Sequence, residues 1–200
     1  KGCDLVVFPE MTLTGFSMNV GKLSHPDDSN WFNDIAKRNK IAIGFGFVEE
    51  EGERGQNKFS IVDNRGAEVL KYTKIHSFSH DKEDESYQSG EEVVIKSLCG
   101  VMISAFICYD LRFPEIFQAV SDNADLLLVI ANWPKSRREH WISLLKARAI
   151  ENQCYVAGIN RVGKSPNKEY CGDSIVVDPL GKIIPSGKDI EVLVVAEIDP

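Results

Sequence analysis

Three apolar runs, CDLVVF at 3–8, VMISAFI at 101–107 and DLLLVIA at 125–131, each stop abruptly at residues that carry chemistry. Runs this short and this continuous read as strands buried on both faces, since a half-exposed strand would alternate apolar and polar. Such strands must be covered. Asp27 to Asn39, after Pro26, carries Trp31, Phe32, Ile35 and Ala36 at helical spacing, and Arg137 to Glu151 carries Trp141, Leu144, Leu145 and Arg148. Pro114 suits the first turn of a further helix. Ile41–Val48, Gln153–Ile159, Ser174–Asp178 and Glu191–Ile198 also read as strands. Lys58–Asp63 and Glu68–Tyr72 flank Asn64-Arg65-Gly66 as a hairpin. Residues 79–90 are polar and acidic and are expected to form a loop. The whole is an α/β layered sandwich with a mixed sheet system and helices outside.

With 43% hydrophobic residues in 200, one domain spanning 1–200 can bury a sizeable core. The net charge of -7 excludes nucleic acid as the main partner, because phosphate contacts need clustered Lys and Arg. No apolar run approaches the roughly 18 residues of a membrane span. Five cysteines, an odd number without a CxxC pair, predict a reducing compartment and not a disulfide framework. A cytoplasmic location is the expectation.

Cys108 ends one of the buried strands and is followed at once by Tyr109-Asp110. A helix N-terminus there would lower the thiol pKa and favour the reactive thiolate. Glu10 follows Phe8-Pro9, and Lys74 follows Tyr72-Thr73 at the end of a third strand. Taken singly, these are equally a core cysteine, a loop carboxylate and a surface lysine. Together they are a nucleophile, a base and a cationic oxyanion stabiliser, the set acyl transfer needs, on strand ends where layered α/β folds build sites. His140 offers a competing Cys–His reading that leaves Glu10 and Lys74 unexplained. His76 and His80 stand four apart, but zinc needs three or four ligands and no third is apparent, so no metal and no cofactor are expected. Gly44-Phe45-Gly46 lies inside a strand and has Glu49 where a dinucleotide loop needs its third glycine.

FPEMTLTGF at 8–16, KYTKIHSF at 71–78 and ICYDLRFPE at 107–115 resemble, in order, the three signature segments of the nitrilase superfamily of carbon–nitrogen hydrolases. ANWP at 131–134, KARAIENQCYVAGINRVG at 146–163 and GDSIVVDPLGKII at 172–184 extend the resemblance over essentially the whole chain. It implies a four-layer αββα sandwich, a homodimer or larger homo-oligomer, and a Glu10–Lys74–Cys108 triad. It also implies a second glutamate after the lysine, here Glu83 with Glu85 as rival. The backbone N–H of Tyr109 is the implied oxyanion partner. The family pattern begins with a further strand and helix before FPE, which this sequence lacks; a truncated chain is the expectation, and a strand truly absent would leave a central sheet position empty. The stretch CYDLRFP with ANWP, His140-Trp141 and ARAIENQ most resembles the bacterial ω-amidases, which cleave the terminal amide of 2-oxoglutaramate and succinamate. Deaminated-glutathione amidases share DLRFPE, and a carbamoyl hydrolase or an inactive interaction domain of the same fold are the further alternatives. An ω-amide substrate ends in a carboxylate, so Arg112 and Arg161 are candidates to bind it, with Asn132 and Trp133 lining the pocket. For each arginine, a structural salt bridge is the competing role.

Overall fold

The computed structural model describes residues 2–23, 28–188 and 190–199. Pro26 and Asp27, where the first helix is expected to begin, lie outside the described residues. The first sheet contains β1 (Leu5–Val7), β2 (Ala42–Glu51), β3 (Arg54–Val62), β4 (Glu68–Thr73) and β5 (Tyr87–Gln88). β1 and β2 are parallel, β2–β3–β4 form an antiparallel meander, and β5 runs parallel to β3. The second sheet contains β6 (Ile95–Leu98), β7 (Val101–Ile107), β8 (Leu126–Ala131), β9 (Tyr155–Asn160), β10 (Val162–Ser165), β11 (Lys168–Val177) and β12 (Ile183–Lys188), in the order β10-β11-β9-β8-β7-β6 with β12 on β11. Its centre, β7–β8–β9, is parallel.

The sheets pack face to face. Phe59, Ile61, Leu70 and Tyr72 of the first sheet share one core with Phe106, Leu128 and Ile130 of the second. The Tyr72 and Phe106 rings meet edge-on at 5.8 Å. Helix α1 (Asp28–Asn39) covers the outer face of the first sheet through Phe32 and Ala36, which pack on Ile43, Phe45 and Val62. Phe32 stacks on Phe45 at 4.0 Å. A one-turn helix α2 (Glu83–Ser86) lies in the connection after β4. Helices α3 (Pro114–Ser121) and α4 (Arg138–Asn152) cover the second sheet, α4 through Trp141, Leu145 and Ala149. The architecture is the expected αββα sandwich.

Most strand expectations match, and Val101–Ile107 matches to the residue. Three differ. Trp31 is 52% exposed, so it lies off the buried stripe of α1. Residues 79–90 are not a plain loop: they hold a 3-10 turn, α2 and β5, because Glu83 is drawn inside. Glu191–Ile198 forms no strand. No ladder joins it to either sheet, although β12 and β6 each pair with one described strand only. β1 has β2 as its one neighbour among the described strands. Among the described residues no helix is long and apolar enough to cross a membrane.

Two glycines shape the chain, Gly66 at the end of the β3–β4 hairpin away from Lys74 and Gly46 beside Glu10. Gly66, at φ 76°, closes the β3–β4 hairpin, a conformation that costs little only without a Cβ. Gly46 on β2 faces the segment after β1. A Cβ there would sit 2.5 Å from the Met11 nitrogen and 2.8 Å from the Glu10 Cα. The backbone can cross β2 at that point only because no side chain is present.

Candidate active site

Glu10, Lys74, Cys108 and Asn132 follow the carboxyl ends of β1, β4, β7 and β8. Facing sheets bring these ends to one rim. The segment after β1 stays alongside β2 through Phe8 N–H to Gly44 O at 2.8 Å and Thr12 N–H to Gly46 O at 2.9 Å. Glu10 is thereby turned in, at 1% exposure.

Lys74 is 2% exposed and Glu83 fully buried. The Lys74 ammonium donates to Glu83 Oε2 at 2.8 Å, Glu83 Oε1 at 2.9 Å and Glu10 Oε1 at 3.2 Å. Glu83 Oε2 also accepts the Phe78 N–H at 2.6 Å. Glu85 is exposed, so within the acidic run it is Glu83 that reaches Lys74. Asn132 grips Glu10 three times. Its N–H donates to Oε2 at 2.8 Å, and its Nδ2 to Oε2 at 3.1 Å and to the Glu10 carbonyl at 2.9 Å. Asn57, on β3, donates from Nδ2 to Glu10 Oε1 at 2.8 Å and Glu83 Oε1 at 3.0 Å.

Burial alone would push the Glu10 carboxyl up. The Lys74 ammonium and the hydrogen bonds from Asn57 and Asn132 outweigh it and hold Glu10 below the usual carboxylate range. Burial likewise works against the Lys74 charge, but Glu10, Glu83 and the Cys108 sulfur keep it well above the usual lysine range. Burial, with the Glu10 and Glu83 carboxylates, pushes the Cys108 thiol well up, against the pull of Lys74. This is opposite to the lowering expected of a helix N-terminus. Cys108 begins a five-residue 3-10 turn, Cys108–Arg112, and two carboxylates stand nearby. These shifts favour a protonated Cys108 thiol beside an ionised Glu10 carboxylate.

Cys108 adopts φ 49°, a left-handed conformation unusual for a residue with a Cβ. Two anchors hold it. Asp110, fully buried, accepts from Ile107 N–H at 3.0 Å, Tyr72 hydroxyl at 2.8 Å, and His76 N–H and Nδ1 at 2.9 and 3.0 Å. Arg148 of α4 donates to the Leu111 carbonyl at 2.8 Å.

Cys108 opens into a pocket also lined by Phe16, Lys74, Phe78, Asn132, Trp133 and Arg137, with Tyr109, Arg112, Asp81 and Lys168 at its sides. Trp133 is fixed by its indole N–H to the Arg137 carbonyl at 2.8 Å. Lys168 pairs with Asp81. Arg112 sits over the Trp133 ring at 5.0 Å and contacts His140 Nδ1 at 3.1 Å. His140 is thus an exposed partner of Arg112. Arg161 does not line the pocket: its guanidinium lies over Tyr170 at 4.5 Å and donates to Asn132 Oδ1 at 3.4 Å. It backs Asn132 from behind the pocket lining. His76 and His80 do not form a pair; His76 turns to Asp110 and stacks on Phe113 at 3.7 Å. Sequence reasoning missed Asn57, Arg137 and Lys168.

The chain belongs to the carbon–nitrogen hydrolase family, whose model matches residues 1–200, and it is a hydrolase of carbon–nitrogen bonds other than peptide bonds. It is 38% identical to a 2-oxoglutaramate amidase of Bacillus subtilis, over all of this chain and 79% of that one. It is 43% identical to an omega-amidase of Escherichia coli, over 92% of this chain and 72% of that one. Among solved structures, a CN-hydrolase superfamily protein of Xanthomonas campestris, with an arsenic adduct in its active site, superposes at TM-score 0.89 and 35% identity, over 96% of this chain and 76% of that one.

Proposed function

We propose that the chain is a thiol amidase. It hydrolyses the terminal amide of a small dicarboxylate monoamide, 2-oxoglutaramate or succinamate, through a Cys108 thioester. Glu10 takes the thiol proton and the sulfur attacks the amide carbonyl. Lys74 and the Tyr109 N–H meet the oxyanion, where one such donor is typically worth about 3–4 kcal/mol. The tetrahedral adduct collapses, the C–N bond breaks, and protonated Glu10 hands its proton to departing ammonia. Water then opens the thioester with Glu10 or Glu83 as base, returning the thiol.

One observation carries the substrate class. The pocket that holds Cys108 also holds Arg112 and Arg137, and among the described residues neither has a carboxylate within ion-pair distance. A guanidinium fork suits a substrate carboxylate. The named activities of the Bacillus and Escherichia relatives support the same reading. We further propose a homodimer or larger assembly, supported by Leu180 and Leu193 at 89% and 71% exposure; light scattering tests it.

The deciding experiment is ammonia release from succinamate, 2-oxoglutaramate, deaminated glutathione, glutamine and a simple nitrile, with Cys108→Ala as control. Turnover of the first two that disappears in the variant is expected. Turnover that survives in Cys108→Ala removes the nucleophile assignment, and preference for deaminated glutathione moves the substrate to the longer amide.

A further inference from the structure

Lys74 makes three contacts with carboxylate oxygens, two to Glu83 and one to Glu10. An ammonium has three protons and no more. An oxyanion can therefore be met only if one contact is released. The longest is to Glu10 Oε1, at 3.2 Å. Glu10 is also the group that becomes neutral when it takes the thiol proton, so its claim on Lys74 weakens at that moment. Something else must then keep Glu10 in place.

Asn132 holds Oε2, and Asn57 makes the contact to Oε1 that does not depend on this exchange. Its Nδ2 donates to the same Glu10 Oε1 at 2.8 Å and to Glu83 Oε1 at 3.0 Å. Both amide protons are committed, one to each carboxylate. The opposite orientation of the amide would aim Oδ1 at two anions, so the assignment follows from charge. Asn57 is 1% exposed, and its Oδ1 has no hydrogen-bond partner among the described residues. The two carboxylates alone orient the group. Its main chain is tied to the same place, since the Asn57 carbonyl accepts the Lys74 N–H at 2.9 Å.

We propose that Asn57 is a positioning residue that holds Glu10 and Glu83 while Lys74 passes its third hydrogen bond from Glu10 to the oxyanion. This rests on the roles given to Glu10 and Cys108 under Proposed function. The thiol proton moves to a Glu10 oxygen, and the sulfur pair forms the C–S bond. The carbonyl pair moves to oxygen, and a Lys74 N–H turns to that oxygen without leaving nitrogen. Glu10, Glu83 and Lys74 sum to one negative charge before the transfer and to zero after it, when the negative charge sits on the oxyanion, so a neutral double donor suits the position where a second cation would neutralise the base. The charged and titratable groups around Glu10 are Lys74 after β4, Glu83 on α2, Cys108 after β7 and Tyr87 on β5.

Two variants test the role: Asn57→Ser, which keeps one donor, and Asn57→Leu, which keeps none. For each, kcat and KM with succinamate are read from about pH 4 to about pH 9. The rate of Cys108 alkylation by iodoacetamide is read over the same range. In Asn57→Leu the acid limb of both profiles should move up by about one pH unit, with kcat at neutral pH falling about tenfold and KM changing by less than about threefold. Asn57→Ser, whose folding is checked by its thermal transition, should shift less, and it decides the matter alone if the Leu variant does not fold. An acid limb that stays in place in a folded variant overturns the proposal, because a merely structural loss lowers the amount of active protein without moving a pH limb. The alkylation profile separates the two readings. A moved alkylation limb in a protein that turns over no amide keeps the Asn57 role and removes the substrate reading. An unmoved one removes the Asn57 role even where succinamate is consumed.

Discussion

The Tyr72 hydroxyl donates to Asp110 Oδ2 at 2.8 Å and so fastens the first sheet to the turn that carries Cys108. The bond is buried, and Asp110 holds Ile107 and His76 with its remaining capacity. Tyr72→Phe removes one donor to a buried carboxylate, which typically costs about 1.5–3 kcal/mol. The thermal transition should fall, and Cys108 alkylation should slow because the turn is held less firmly. A drop in stability with unchanged alkylation would confine Tyr72 to the core.

The left-handed backbone at Cys108 sets the thiol against the stability of the chain. A residue with a Cβ in that region costs roughly 1–2 kcal/mol relative to glycine. Cys108→Gly should be inactive yet unfold at higher denaturant than Cys108→Ala, a comparison free of the lost sulfur. A Gly variant less stable than the Ala variant would place the strain elsewhere.

Stability should fall in alkali in two steps. Burial and two carboxylates hold the Cys108 thiol above its unfolded value, so its contribution is present below about pH 8.5 and is lost as pH rises. Lys74, raised by Glu10 and Glu83 against the effect of burial, contributes fully below about pH 10.4 and is lost above it. Glu10 is held low, so its contribution is present above about pH 4.3 and is lost as pH drops through its folded value. Denaturant unfolding across pH should show a steeper first alkaline decline in the wild type than in Cys108→Ala. Cys154, which burial pushes up to about 11, changes both proteins alike.

Arg112→Met and Arg137→Met should each raise KM for succinamate far more than for a neutral amide of the same length. Loss of a bidentate charge-assisted contact is worth about 1.5–3 kcal/mol, or roughly ten- to a hundredfold. Equal effects on both substrates would take that arginine out of the carboxylate subsite. Arg161→Met should instead lower kcat with both, through Asn132.

The strands that build the rim were legible because they are buried on both faces, and an apolar run such as Val101–Ile107 has nowhere else to go. Pro114 marked the start of α3 by its missing N–H. The site's second half was harder to see. Four carboxylates crowd residues 81–85, and only the tertiary position of Lys74 decides which one turns inward. Asn57 left a trace that was not used: it alternates with Phe59 and Ile61 on β3, and all three are buried. Arg137 and Lys168 lie more than twenty residues from the nucleophile, in polar surroundings typical of surface, and only the pocket assembles them. Glu191–Ile198 reads as a strand from its alternation, but alternation without a ladder partner makes no strand.

Gly46 makes the address of Glu10 depend on an atom that is not there. A methyl at that point, on a strand remote in sequence from Glu10 and touching no substrate, would collide with main chain that has no rotamer to retreat into. The segment after β1 would have to lift from β2, withdrawing Glu10 while leaving every side chain of the site intact. A comparison of related chains by their site residues alone would count such a protein as equipped. Inheritance of this chemistry is therefore carried partly by a blank position in the middle of a strand.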